Sequence, residues 1–65
     1  MEKILRDKMG NKIAILKKLM DGNMAIYDRY GTFRGTYVVK RDVTLDKLGN
    51  RVGYGNLLVT LINVQ

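Results

Sequence analysis

Two stretches, Asp7-Lys8-Met9-Gly10-Asn11-Lys12-Ile13-Ala14-Ile15 and Asp46-Lys47-Leu48-Gly49-Asn50-Arg51-Val52-Gly53-Tyr54, decide the fold when laid over one another. Asp, Lys, Gly and Asn are identical, and the remaining positions are mostly similar in kind. A third stretch, Ala25 to Tyr37, carries the same frame as Asp28, Gly31 and Gly35, matching Asp7, Gly10, Ala14 and Asp46, Gly49, Gly53. Asp at the first position of a type I turn accepts hydrogen bonds from the backbone ahead of it, and Gly at the fourth takes the left-handed conformation that closes a hairpin with a bulge. The chain therefore reads as one hairpin unit used three times.

Lys12 to Met20 tests that reading. Ile13, Leu16 and Met20 satisfy helical spacing, and Gly22 suits a helix C-cap. The second copy, with Val52, Tyr54 and flanking glycines, suits a bulged strand. Copies of one unit share one structure, so Lys12 to Met20 is expected to be a strand. Around it, Glu2 to Arg6, Met24 to Asp28, Thr32 to Lys40, Val43 to Asp46 and Arg51 to Tyr54 are the other expected strands. Asp21-Gly22-Asn23 supplies the pair favoured in tight hairpins, and Arg41-Asp42 a short reversal. In Thr32 to Lys40, Phe33, Tyr37 and Val39 are expected on one face and Arg34, Thr36, Val38 and Lys40 on a basic one.

The middle unit departs from its neighbours. After Gly31 come Thr32-Phe33-Arg34, so apolar and basic residues trade places relative to Lys12-Ile13 and Arg51-Val52. Because side chains alternate across a sheet, the central hairpin is expected to turn its opposite face inward, or to carry a bulge. The tail from Asn56 to Gln65 is apolar whether read as a strand or as a short helix with Asn56 as N-cap. The fold class is all-β: an antiparallel meander of about three Asp-x-x-Gly hairpins in one domain, ending in that apolar strand or short helix.

Sixty-five residues bury only roughly 60% of the surface of the unfolded chain. Small folds compensate with disulfides, a metal or self-association. The chain has no Cys and no His, which removes disulfides and the usual soft or nitrogen metal ligands and leaves self-association. Leu57, Leu58, Val59, Leu61 and Ile62 are the expected oligomer interface, the alternative being that this tail packs on the chain's own sheet. Without Ser, Cys or His, the four Thr hydroxyls lack the familiar activating partners. An enzyme is not expected, nor any cofactor. No run approaches the ~20 apolar residues of a membrane span, and Met1 to Leu5 does not resemble a signal peptide, so a cytoplasmic, unprocessed chain without a membrane partner is expected.

The formal charge of +6 implies a polyanion-attracting surface, since most acids sit at turns while many cations fall within strands. Lys12, Lys18, Arg34, Lys40, Arg41 and Arg51 are the candidate phosphate contacts, and Tyr27, Tyr30, Tyr37 and Tyr54 the candidate stacking surfaces for nucleic acid. The competing explanation is that cations keep edge strands soluble and tyrosines pack the sheet. The first expectation for function is a non-enzymatic module that self-associates and binds another protein of unknown identity; the alternative is nucleic-acid binding.

Ile26-Tyr27-Asp28-x-x-Gly31, echoed by Leu45-Asp46-x-x-Gly49, resembles the tyrosine-aspartate repeats of large bacterial shell proteins. The hairpin series also resembles small bacterial proteins of the β-flower kind, and Gly55-Asn56-Leu57-Leu58 resembles the close of short bacterial proteins that end in such a hairpin. The likeness spans residues 4 to 62 and implies hairpin architecture, with no catalytic residues. Leu45 and Arg6 stand where the repeat has Tyr, and Ala14 where the other units have Gly.

Overall fold

The computed structural model describes residues 1–62. Six strands, β1 (Glu2–Arg6), β2 (Lys12–Lys18), β3 (Met24–Asp28), β4 (Phe33–Val38), β5 (Val43–Asp46) and β6 (Arg51–Tyr54), form one antiparallel sheet in chain order. Lys12–Lys18 is a strand, as the repeat requires, but it stops short of the expected Met20, because Leu19 opens the next turn. The chain is an all-β meander. Among the described residues, no helix is long and apolar enough to cross a membrane.

Four hairpins share one turn. Gly10, Gly22, Gly31 and Gly49 have φ between 86° and 92°, and each donates its N–H to the carbonyl three residues earlier, on Asp7, Leu19, Asp28 and Asp46 respectively. A Cβ at any of these glycines would meet nothing within 4 Å, so only the left-handed φ demands glycine there. In the three Asp turns one carboxylate oxygen accepts two backbone N–H groups at 2.9 Å, from Met9 and Asn11, from Tyr30 and Thr32, and from Leu48 and Asn50. Asp21-Gly22, read as the pair of a tight hairpin, occupies the last two positions of a three-residue loop opened by Leu19. The reason is that the left-handed residue falls third in the loop, which calls for the same bulged closure as at Gly10.

Each Asp turn is followed by a bulge. Leu5 faces Ala14 while Arg6 faces Lys12, leaving Ile13 extra; Arg34 and Val52 are extra in the same way in β4 and β6. Directly opposed residues share a face, so these bulges set which side chains meet. Phe33 opposes Tyr27, whereas Tyr37 opposes Met24 on the other side. The expected grouping of Phe33 with Tyr37 is therefore wrong, because the extra residue at Arg34 interrupts strict alternation. Nor is the central hairpin inverted. Gly35 keeps the core-side place of Ala14 and Gly53, and Phe33 occupies the place of Lys12 and Arg51 within an unchanged backbone frame.

β4 ends at Val38, not Lys40: Val39–Arg41 form a 3-10 turn, and Asp42 takes a left-handed conformation with φ 52° and ψ 46°. Aspartate tolerates that region better than most residues. Here its carboxylate accepts the Tyr37 hydroxyl at 2.6 Å and its carbonyl accepts the Gly55 N–H at 2.7 Å.

The main buried cluster lies on the face where the tail crosses the sheet, while Ala25 and Val43 are buried on the other. Leu58–Leu61 form a second 3-10 segment, and Leu58 packs with Ala14 and Ile26 in the buried cluster, flanked by Leu5, Ile13, Leu16, Met24, Tyr37, Leu61 and Ile62. Thr44 anchors the approach, its buried hydroxyl donating to the Gly55 carbonyl (2.7 Å) and accepting from the Leu57 N–H (2.9 Å). The small residues of the repeat now have a cause. A Cβ at Gly53 would lie 2.8 Å from Leu57 Cδ1, and one at Gly35 would strike Leu61 Cδ1 and lie 2.5 Å from the Leu45 carbonyl oxygen. The frame Ala14, Gly35, Gly53 is the furrow that receives the tail. The last three residues of the expected tail lie outside the described residues.

Candidate interaction surfaces

Among the described residues no segment crosses the other face, which leaves most of it open, although Ala25 and Val43 within it are buried. Its first cross-strand row is Ile4, Ile15, Tyr27 and Phe33, and its second is Glu2, Lys17, Ala25, Thr36, Leu45 and Arg51. A third, of Val38, Val43 and Tyr54, closes the far side. Apolar side chains occupy the middle and charged ones the margin, with Arg6 opposite Lys12 at one border and a long Lys17–Glu2 ion pair of 3.8 Å at another. Tyr27 and Phe33 meet edge to face, centroids 5.7 Å apart, so the exchange of Phe33 for a cation gives this face its aromatic centre.

The expected interface residues are largely used within the chain. Leu58 is 1% exposed, Leu61 and Ile62 pack against the core, and Leu57 is half-buried over Gly53. Val59 alone among the five is well exposed.

The six candidate phosphate contacts do not form one basic face. Lys12, Arg34 and Arg51 stand at the bases of the three Asp turns, whereas Lys18, Lys40 and Arg41 lie at the opposite end, the last two in the 3-10 turn. The tyrosines are equally dispersed. Tyr27 is central on the open face. Tyr30 sits at a turn tip with the Arg29 guanidinium over its ring at 5.0 Å. Tyr54, at the edge, accepts a hydrogen bond from Arg51 (2.9 Å) and stacks beneath the same guanidinium at 5.0 Å. Tyr37 belongs to the core side, and donation of its hydroxyl to Asp42, with lesser help from burial and the nearby charge, raises its pKa above the ordinary 10.0.

The meander places the β1–β2, β3–β4 and β5–β6 turns at one end of the sheet and the other two connections at the opposite end. Within three residues of the first set lie Arg6, Lys8, Lys12, Arg29, Arg34, Lys47 and Arg51 with Asp7, Asp28 and Asp46, seven cations against three carboxylates. The remaining five cations and three acids lie elsewhere, so the Asp-turn end carries +4 of the net +6. The N–H of Asn11, and after it those of Met9 and Gly10, hold Asp7 below its ordinary pKa against the opposing effect of desolvation. A shallow depression at the opposite end, about 380 Å³, is lined by Asp21, Gly22, Asn23, Val38, Val39 and Lys40.

Among the described residues there is no group of three or more His, Cys, Asp or Glu able to hold a metal ion. The pairing on the open face and the charge excess at one end were not legible from residue types alone. Both depend on where the bulges fall and which turns share an end. No protein-family model, curated protein or solved structure matches the chain.

Proposed function

We propose that the protein is a non-enzymatic interaction module that self-associates through the open face of its sheet and, once assembled, binds another protein. The observation that carries this reading is the uncovered row Ile4, Ile15, Tyr27 and Phe33, an apolar centre within a charged margin, which is the anatomy of a protein interface. The molecule's 34 × 24 Å outline is comparable to the ~800 Å² that each partner contributes to a standard interface. A second copy would supply the core that so short a chain lacks on this side. The outer edge of β1, unpaired among the described residues, then offers main-chain groups for strand addition by a protein ligand.

Size-exclusion chromatography with light scattering tests the assembly. A dimer or larger species is expected at low micromolar concentration, reduced to monomer by Phe33→Lys, a substitution at a 38% exposed site that the fold accommodates. A wild-type monomer at that concentration would overturn the reading. Nucleic-acid binding is the second reading, favoured by the placement of Tyr27 and Phe33 between Lys12 and Arg51 on the same face. It requires binding of single-stranded oligonucleotide that falls steeply with salt.

A further inference from the structure

The tips of the three Asp turns carry a chemistry that the fold does not require. Asp at the first turn position is fixed by its two backbone hydrogen bonds and Gly at the fourth by its positive φ. The two residues between them are exposed and unconstrained. Yet all three tips read cation then large apolar: Lys8-Met9, Arg29-Tyr30, Lys47-Leu48. Met9, Tyr30 and Leu48 are 78%, 77% and 78% exposed. The Leu19 turn, which has the same backbone at the other end, has Met20 and Asp21 at these positions, so the pairing does not follow from turn geometry.

We propose that this end of the sheet docks the protein onto an anionic lipid bilayer surface, inserting Met9, Tyr30 and Leu48 while Lys8, Arg29 and Lys47 meet the headgroups. This departs from the composition-based expectation of no membrane partner and is independent of self-association by the open face. Neighbouring tips are two strands apart, about 10 Å, and so form a row of separate protrusions without a groove. Such a row suits a deformable surface that each apolar tip can enter. Met and Leu belong in the acyl boundary and Tyr at the headgroup level. Nucleic acid fits less well, because Met9 and Leu48 give bases nothing flat to stack on. The +4 excess at this end supplies the long-range attraction, and cations near an anionic leaflet are each worth about fivefold in partitioning.

Co-sedimentation of the full chain with vesicles of phosphatidylcholine alone, or of phosphatidylcholine doped with phosphatidylserine, tests the proposal. Binding is expected to the anionic vesicles only, about fivefold weaker in Lys47→Gln. It should be lost in the double variant Met9→Ser/Leu48→Ser and unchanged in Met20→Ser, with circular dichroism confirming that each variant is folded. Phe33→Lys separates the two proposals, since vesicle binding should survive the loss of assembly. Absence of binding to the anionic vesicles, an equal loss in Met20→Ser, or retention in the double serine variant would each overturn it.

Discussion

The two ends of the sheet solve the same problem differently. At one end three turns are copies, each sealed by its own aspartate. At the other, the Leu19 turn has no carboxylate in first position. Asp21 caps Asn23 from within the loop at 2.9 Å, and Asn23 Oδ1 reaches across to accept the Val39 N–H at 3.1 Å. The Asp turns are therefore local and self-sufficient, whereas the opposite end is a joint in which the β2–β3 and β4–β5 connections hold each other. A glycine with positive φ is enough to fix the backbone of such a hairpin. What the polar residues decide is whether the turn stands alone or is tied to its neighbour.

The sharpest way to break that contrast is Asn23→Ala, which strips the Val39 N–H of its partner. The bond is exposed, so we expect a loss of about 1.5 kcal/mol, against a few tenths for Asn50→Ala at the equivalent place in an Asp turn. Urea unfolding of both variants measures it, and equal losses would abolish the distinction. Gly22→Ala and Gly49→Ala, by contrast, should cost the same, about 1–2 kcal/mol each, because both impose left-handed strain in open space. Unequal costs would show that the two backbones are not equivalent in solution. Asp46→Ala removes the acceptor of two N–H groups and should cost about 1 kcal/mol, with Asp21→Ala, which removes the acceptor of one, nearer half of that.

The smallest effect concerns acid. The folded pKa of Asp7 lies below its unfolded value, so its contribution is fully present above the unfolded pKa, near 3.8, and is lost as pH falls through the depressed folded value. The stability gap between the wild type and Asp7→Asn should therefore close on acidification across that window. A gap that stays constant from neutral pH to below it would refute the assignment.

Much of this architecture was legible because it is local. The Asp and Gly of each turn, and the likeness of residues 7–15 to 46–54, outweighed the helical spacing of Lys12–Met20. The constant small residue at Ala14, Gly35 and Gly53 was visible too, but its reason was not, since Leu57 and Leu61 come from a distant segment. A bulge in the central hairpin was expected from the Asp-x-x-Gly signature and the Phe33-Arg34 swap, but its place in the ladder was not, and strict alternation drawn through Thr32 to Lys40 grouped Phe33 with Tyr37 and placed a basic face where none exists. Lys40 was likewise misplaced, because the start of a 3-10 turn looks, in sequence, like a strand running on, whereas the reversal at Arg41-Asp42 was legible. The candidate surfaces inherited those errors, being sums over several such placements.

The furrow under the tail also orders events in time. Every strand pairs with its immediate neighbour in the chain, so the sheet can form hairpin by hairpin, each on the ~1–10 μs scale of such units. The contact of Leu61 with Gly35 spans a much longer loop, whose closure is entropically dearer, and it cannot form until the β4 bulge has placed Gly35 beneath it. Docking of the tail should thus fall after the folding barrier. Leu61→Ala would accelerate unfolding and leave the folding rate nearly untouched, and a slowed folding limb in its chevron would place the tail in the nucleus instead.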